Sequence, residues 1–143
     1  MSVEKCSCEV PSGNIMILAC SGGSNVGQLS NQAAVELTVE GFGKMYCLAG
    51  IGGRLSGFVQ SAKDAPAMVV IDGCEIGCAK ATLQSAGVPV GAYLVITTDL
   101  GIQKNKNLNL SREDIEKVKN AIKSLPLKSS PEGSSQATTS CCC

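Results

Sequence analysis

Three apolar runs in this chain carry a cysteine at or near their end, and their spacing narrows the folds open to it. Residues 15–20 (Ile-Met-Ile-Leu-Ala-Cys) carry no polar group before Ser21, and residues 69–74 (Val-Val-Ile-Asp-Gly-Cys) are apolar up to Asp72. Residues 45–50 (Met-Tyr-Cys-Leu-Ala-Gly) repeat the arrangement more loosely. The steps from Cys20 to Cys47 and from Cys47 to Cys74 are both 27 residues, close to the ~30 of one strand–helix–strand unit. An apolar run without alternation is what a strand needs when helices cover both faces of its sheet. The pattern predicts an α/β fold: a three-layer sandwich with a mostly parallel sheet of about four strands, Rossmann-like or flavodoxin-like. If these strands are parallel neighbours, their terminal thiols converge at one sheet edge.

The segments between the runs supply the helices. Ser21-Gly22-Gly23-Ser24-Asn25 makes a turn with Ser24 or Asn25 as N-cap, followed by Val26, Leu29, Ala33 and Leu37 at helical spacing and a stop at Gly41. A second strand is expected over 44–48. Gly50, Gly52 and Gly53 then give a flexible turn, ahead of a short helix with Leu55, Phe58, Val59 and Ala62 on one side. The central strand spans 67–71, with Cys74 at its end, and a helix over 76–86 puts Cys78 one turn in. A fourth strand over 92–96 runs into Thr97-Thr98-Asp99, read as a loop at the same edge, and 104–109 is read as a solvated loop. Ser111 and Asp114 fit a capping box with Leu110 stapled to Ile115, and Ile115, Val118, Ile122 and Leu125 form one face up to Pro126. Residues 1–14 read as a flexible arm, 15–126 as one domain, and 127–143 as a disordered tail.

Composition excludes several classes of function. The 12 basic and 12 acidic side chains cancel, so no basic stripe points to nucleic acid. Two Phe, two Tyr and no Trp give little for bases to stack on. No apolar run reaches the roughly 18 residues of a membrane span, and Met1-Ser2-Val3-Glu4-Lys5 lacks a signal peptide's apolar core. The expectation is a soluble, cytoplasmic protein that binds neither nucleic acid nor membrane. In a reducing compartment nine cysteines point to metal or thiol chemistry rather than disulfides. Histidine is absent, which removes Ser-His and Cys-His pairs and every mixed Cys/His metal site.

Cys20, Cys47, Cys74 and Cys78 are therefore the candidate ligands, and four thiolates close a tetrahedral zinc site. Zinc suits thiolates because it is borderline-soft and imposes no geometry of its own. Helix N-termini near Cys20 and Cys74 are expected to lower their thiol pKa values. Asp72 is a candidate to support the ligands from behind, or to orient the turn by accepting backbone N–H bonds. The turn's Gly22, Gly23, Ser24 and Asn25 are candidates for holding an anion, although it is neither G-x-G-x-x-G nor a P-loop. Cys6 and Cys8 in the arm, and Cys141, Cys142 and Cys143 in the tail, have no assigned role.

Cys20-Ser21-Gly22-Gly23-Ser24-Asn25-Val26-Gly27-Gln28, taken with Asp72-Gly73-Cys74 and Cys78, resembles the DGC family, named for that tripeptide. The resemblance covers about residues 15–105. It implies zinc binding by four chelating cysteines, which fall on Cys20, Cys47, Cys74 and Cys78, and it implies no reaction. The competing expectation is a thiol-based redox or sulfur-transfer enzyme using Cys74 with Cys78, or Cys20.

Overall fold

Residues 15, 17 and 19 and residues 67, 69 and 71 turn their side chains into one core, and Leu18, Met68 and Val70 into another. These residues belong to β1 (Ile15–Ala19) and β3 (Ala67–Asp72), the two inner strands of the sheet. A strand covered on both faces has no solvated side for polar residues, which is why both runs are unalternated. The structure, a computed structural model, describes residues 14–127. The expectations for the arm with Cys6 and Cys8, and for the tail with Cys141, Cys142 and Cys143, lie outside the described residues.

The remaining elements are α1 (Asn25–Val39), β2 (Lys44–Met45), α2 (Leu48–Gly52), α3 (Ser56–Asp64), α4 (Cys78–Ser85), β4 (Ala92–Val95), α5 (Ile96–Leu100) and α6 (Arg112–Lys123). The four strands are all parallel, in the order β2-β1-β3-β4. On one face Val26, Leu29 and Leu37 of α1, Ile96 of α5, and Val118 and Ile122 of α6 complete the core. On the other, Ile51, Ala62, Ala79 and Leu83 of α2, α3 and α4 do so. The fold is α/β with three layers, as the sequence predicts, and its strand order is the flavodoxin-like one. In that order the winding reverses between β1 and β3, so a crevice opens beyond their carboxyl ends. No helix among the described residues is long and apolar enough to cross a membrane.

Capping fixes the helix starts. The Ser24 hydroxyl accepts from the Gly27 N–H, and that of Ser111 from the Asp114 N–H, each 3.2 Å or less. Other elements differ from the sequence reading. β2 is two residues long rather than five. A helix replaces the flexible turn at 48–52, because the Cys47 sulfur caps it and Ile51 is fully buried. Thr97-Thr98-Asp99 is helical, in α5. α4 begins at Cys78 instead of 76, leaving Ile76 69% exposed in the preceding turn. Cys78 is thus the first helical residue.

Candidate functional site

The crevice beyond β1 and β3 contains a hollow of about 170 Å³. Cys20, one residue past β1, Cys74, two past β3, and Cys78 at the start of α4 all line it. So do the exposed Ser21, Gly22 and Gly23, the buried Ser24, the exposed Ile76, and Lys104 and Lys106 from the 101–109 segment. The Cys20 sulfur accepts from the Gly73 N–H at 3.2 Å. The Lys104 ammonium donates to the Cys74 sulfur at 3.4 Å. All these cysteines are free thiols, Cys20 and Cys74 half-buried, Cys78 exposed.

Cys47 is apart from them. It leaves β2 beside β1, where the Tyr46 N–H donates to the Ile17 carbonyl, but its exposed sulfur accepts from the Gly50 N–H at 3.3 Å. It does not line the hollow. Among the described residues, no group of three or more Cys, Asp or Glu side chains stands arranged to hold an ion. The donor chemistry nevertheless suits a thiophilic metal: three thiols face one space, two of them with hydrogen-bond donors already on sulfur. Such donors are what tune and orient metal-bound thiolates. An ion would have to draw these side chains together.

The expectation of a lowered thiol pKa at Cys20 is reversed. Burial pushes its thiol above the usual range, and the negative charge of Asp72 adds to the rise. The Gly73 N–H and the Ser30 hydroxyl pull the other way without overcoming burial. Desolvation outweighs the nearby helix start here.

Lys104 and Lys106, which the sequence alone marks only as part of a solvated loop, also line the hollow. Asn25 anchors their segment. Its Nδ2 donates to the Gln103 carbonyl at 2.8 Å, its Oδ1 accepts from the Asn105 N–H at 2.6 Å, and its own N–H donates to the Asn105 carbonyl at 3.0 Å. The segment is thereby a strap across the start of α1, and Lys106 reaches the Gly23 carbonyl at 3.3 Å. Of the candidates for anion binding, Asn25 is committed to the strap and Ser24 to its cap, while Gly22 and Gly23 stay exposed on the rim. Glu75 accepts from the Thr97 hydroxyl at 2.9 Å and lines a separate, neighbouring hollow of about 550 Å³. Its own backbone N–H and the Thr97 hydroxyl hold its carboxyl below the usual range. Cys74, Ile76 and Lys104 line both hollows.

The pattern of the DGC domain matches residues 16–122, which include every part of the hollow. The chain belongs to the DGC family. It is 31% identical over 103 residues to the Anaerobic and virulence modulator AnvM of Pseudomonas aeruginosa, across 72% of this chain and 78% of that protein. No solved structure matches it. DGC membership suggests a small metal-binding protein.

In this DGC chain each member of the tripeptide has a physical task. Asp72, 1% exposed, accepts from the Ala79 N–H at 2.8 Å, the Lys80 N–H at 3.1 Å and the Tyr93 hydroxyl at 2.9 Å. It thus caps α4 from a neighbouring strand, satisfying N–H groups that α4's own N-cap, Gly77, cannot. Burial and this bond to Asp72 raise the Tyr93 phenol well above its usual pKa. Gly73 is required by close approach: a Cβ there would lie 2.7 Å from the Val26 backbone, so any larger residue would push β3's exit off α1. Cys74 supplies sulfur to the hollow. Gly77 then turns the chain at φ +69°, a left-handed conformation suited to glycine.

Proposed function

We propose that this DGC protein binds zinc through cysteine thiolates drawn from Cys20, Cys47, Cys74 and Cys78 at the carboxyl edge of the sheet. The observation that carries this reading is the hollow itself, which is lined by cysteines from the two turns that leave β1 and β3. Thiolates need compensating charge and hydrogen bonds, and the Gly73 N–H and Lys104 ammonium are already directed at two of the sulfurs. With no histidine in the chain, the ligands must be sulfur or carboxylate. Asp72 supports the site indirectly, by fixing the start of α4 on which Cys78 stands. Binding would release thiol protons, that of the buried Cys20 among them, so affinity should rise with pH.

One observation favours a second reading, thiol-based redox or sulfur-transfer chemistry. Cys74 carries an ammonium at its sulfur and sits on the wall between two hollows, the larger of which could admit a small substrate. Cys78 or Cys20 would then be the second thiol. Metal analysis of protein purified without added metal, with thiols counted before and after chelation, separates the two. Stoichiometric zinc, and reactive thiols that appear only after chelation, support the metal reading. Metal-free protein with a thiol that alkylates at once would overturn it in favour of thiol chemistry.

A further inference from the structure

The ammonium of Lys104 is directed at sulfur rather than at a carboxylate. It donates to the Cys74 Sγ at 3.4 Å across 30 positions of sequence, while Glu75, the acid beside Cys74 in the chain, accepts from the Thr97 hydroxyl. The backbone is fixed on both sides of this contact. Lys104 lies between Gln103 and Asn105, the two residues that Asn25 ties to the start of α1 by three bonds. Cys74 follows Gly73, whose N–H donates to the Cys20 sulfur and whose carbonyl accepts from the Thr97 N–H at 3.2 Å. Cys74 is a free, half-buried thiol on the wall between hollows of about 170 and 550 Å³, each wider than a peroxide molecule. Partly exposed thiols in electropositive surroundings are the ones that oxidants select.

We propose that Cys74 and Lys104 form a modification site, at which peroxide converts their hydrogen bond into a covalent sulfur–nitrogen bridge. First the Cys74 sulfur attacks a peroxide oxygen; an S–O bond forms as the O–O bond breaks, and one water leaves a sulfenic acid behind. Then the Lys104 amine, its extra proton lost to solvent, attacks that sulfur; an S–N bond forms and the sulfenic oxygen departs as a second water. Sulfur is oxidised by two electrons, peroxide is reduced to two waters, and nitrogen keeps its oxidation state. Sulfenic acids condense in this way with backbone nitrogen, and an amine already held at the sulfur has the same advantage of proximity. Two molecules of a small thiol reverse the bridge, returning thiol and amine and leaving as their disulfide. The bridge pins the strap to the turn between β3 and α4 and withdraws the Cys74 sulfur from both hollows. It is a property of the metal-free chain, goes beyond the zinc reading and does not depend on it.

The test treats the full chain, stripped with a chelator, with one equivalent of hydrogen peroxide and maps its peptides by mass spectrometry without reductant. The expected product is a linked pair containing Cys74 and Lys104, two hydrogens lighter than its parts, with tryptic cleavage after Lys104 lost and then restored by dithiothreitol. Cys74→Ser and Lys104→Arg should each abolish the pair, and Lys106, bonded instead to the Gly23 carbonyl, should stay unlinked. In Lys104→Arg the sulfenic acid should persist, so dimedone should label Cys74 roughly tenfold more than in the parent. A disulfide from Cys74 to Cys78 or Cys20 in the parent, a linked pair that retains an oxygen, equal dimedone labelling in parent and variant, or a Cys74 that peroxide leaves unchanged would each overturn the bridge.

Discussion

At the scale of single residues, Asp72 joins the end of one element to the start of the next. Two N–H groups of α4 and the Tyr93 hydroxyl share its carboxylate. Asp72→Ala would leave these donors without their partner beside a buried strand end. The expected loss is about 2–4 kcal/mol, the sum of a missing cap and buried unpaired groups, read as a lower midpoint in urea unfolding. Asp72→Asn, which keeps the shape and one acceptor oxygen, should cost less. Tyr93→Phe removes a single bond and should cost about 1 kcal/mol. Equal losses in all three variants would mean that the α4 cap contributes nothing of its own.

Among the elements, α6 is held by charge as well as by its apolar face. Lys119, its side chain 4% exposed, is paired with Glu36 and Glu40 of α1 and its neighbour, and with Glu116. Arg112 bridges Glu36 and Glu116, and Lys123 reaches Glu40. Arg112 chiefly holds the Glu36 and Glu116 carboxyls below the usual range, and Lys119 chiefly does so for Glu40. Depressed carboxyls contribute stability above their unfolded value of about 4.3 and lose it as pH falls through the folded values. Hydrogen-exchange protection factors in α6, corrected for the intrinsic pH dependence of exchange, should therefore fall below about pH 4, earlier than in β1 and β3, and molar salt should mimic part of the effect at neutral pH. Uniform loss of protection across the sheet and α6 would contradict this. α6 was legible because Ser111 and its apolar spacing are local signals, and so were β1, α1 and β3. α2 was not, since three glycines within 50–53 argue against a helix and its cap is a sulfur. α5 was hidden because it starts directly where β4 ends, with no cap residue between them.

Across the whole molecule, the thiols are brought together by topology, because the β2-β1-β3-β4 order sets the exits of β1 and β3 side by side. That much could be read from the spacing of Cys20 and Cys74. The separation of Cys47 could not, since it depends on β2 ending early, and neither could the lysine strap, whose bonds to Asn25 span 78 and 80 positions. The shared hollow also sets a pH dependence. Burial raises the Cys20 pKa, so the metal-free fold favours the protonated thiol; this contribution is complete below the unfolded thiol's ~8.5 and is lost as pH rises through the higher folded value. Thermal midpoints of metal-free protein should fall above about pH 8.5, and Cys20→Ala should remove that component of the fall; an unchanged slope in the variant would contradict it. The most direct measurement of the central claim is zinc-edge X-ray absorption on the metal-loaded protein. A shell containing sulfur at about 2.3 Å, diminished in Cys20→Ser and in Cys74→Ser, is the result expected here. A shell made only of oxygen and nitrogen, or one indifferent to both substitutions, would contradict it.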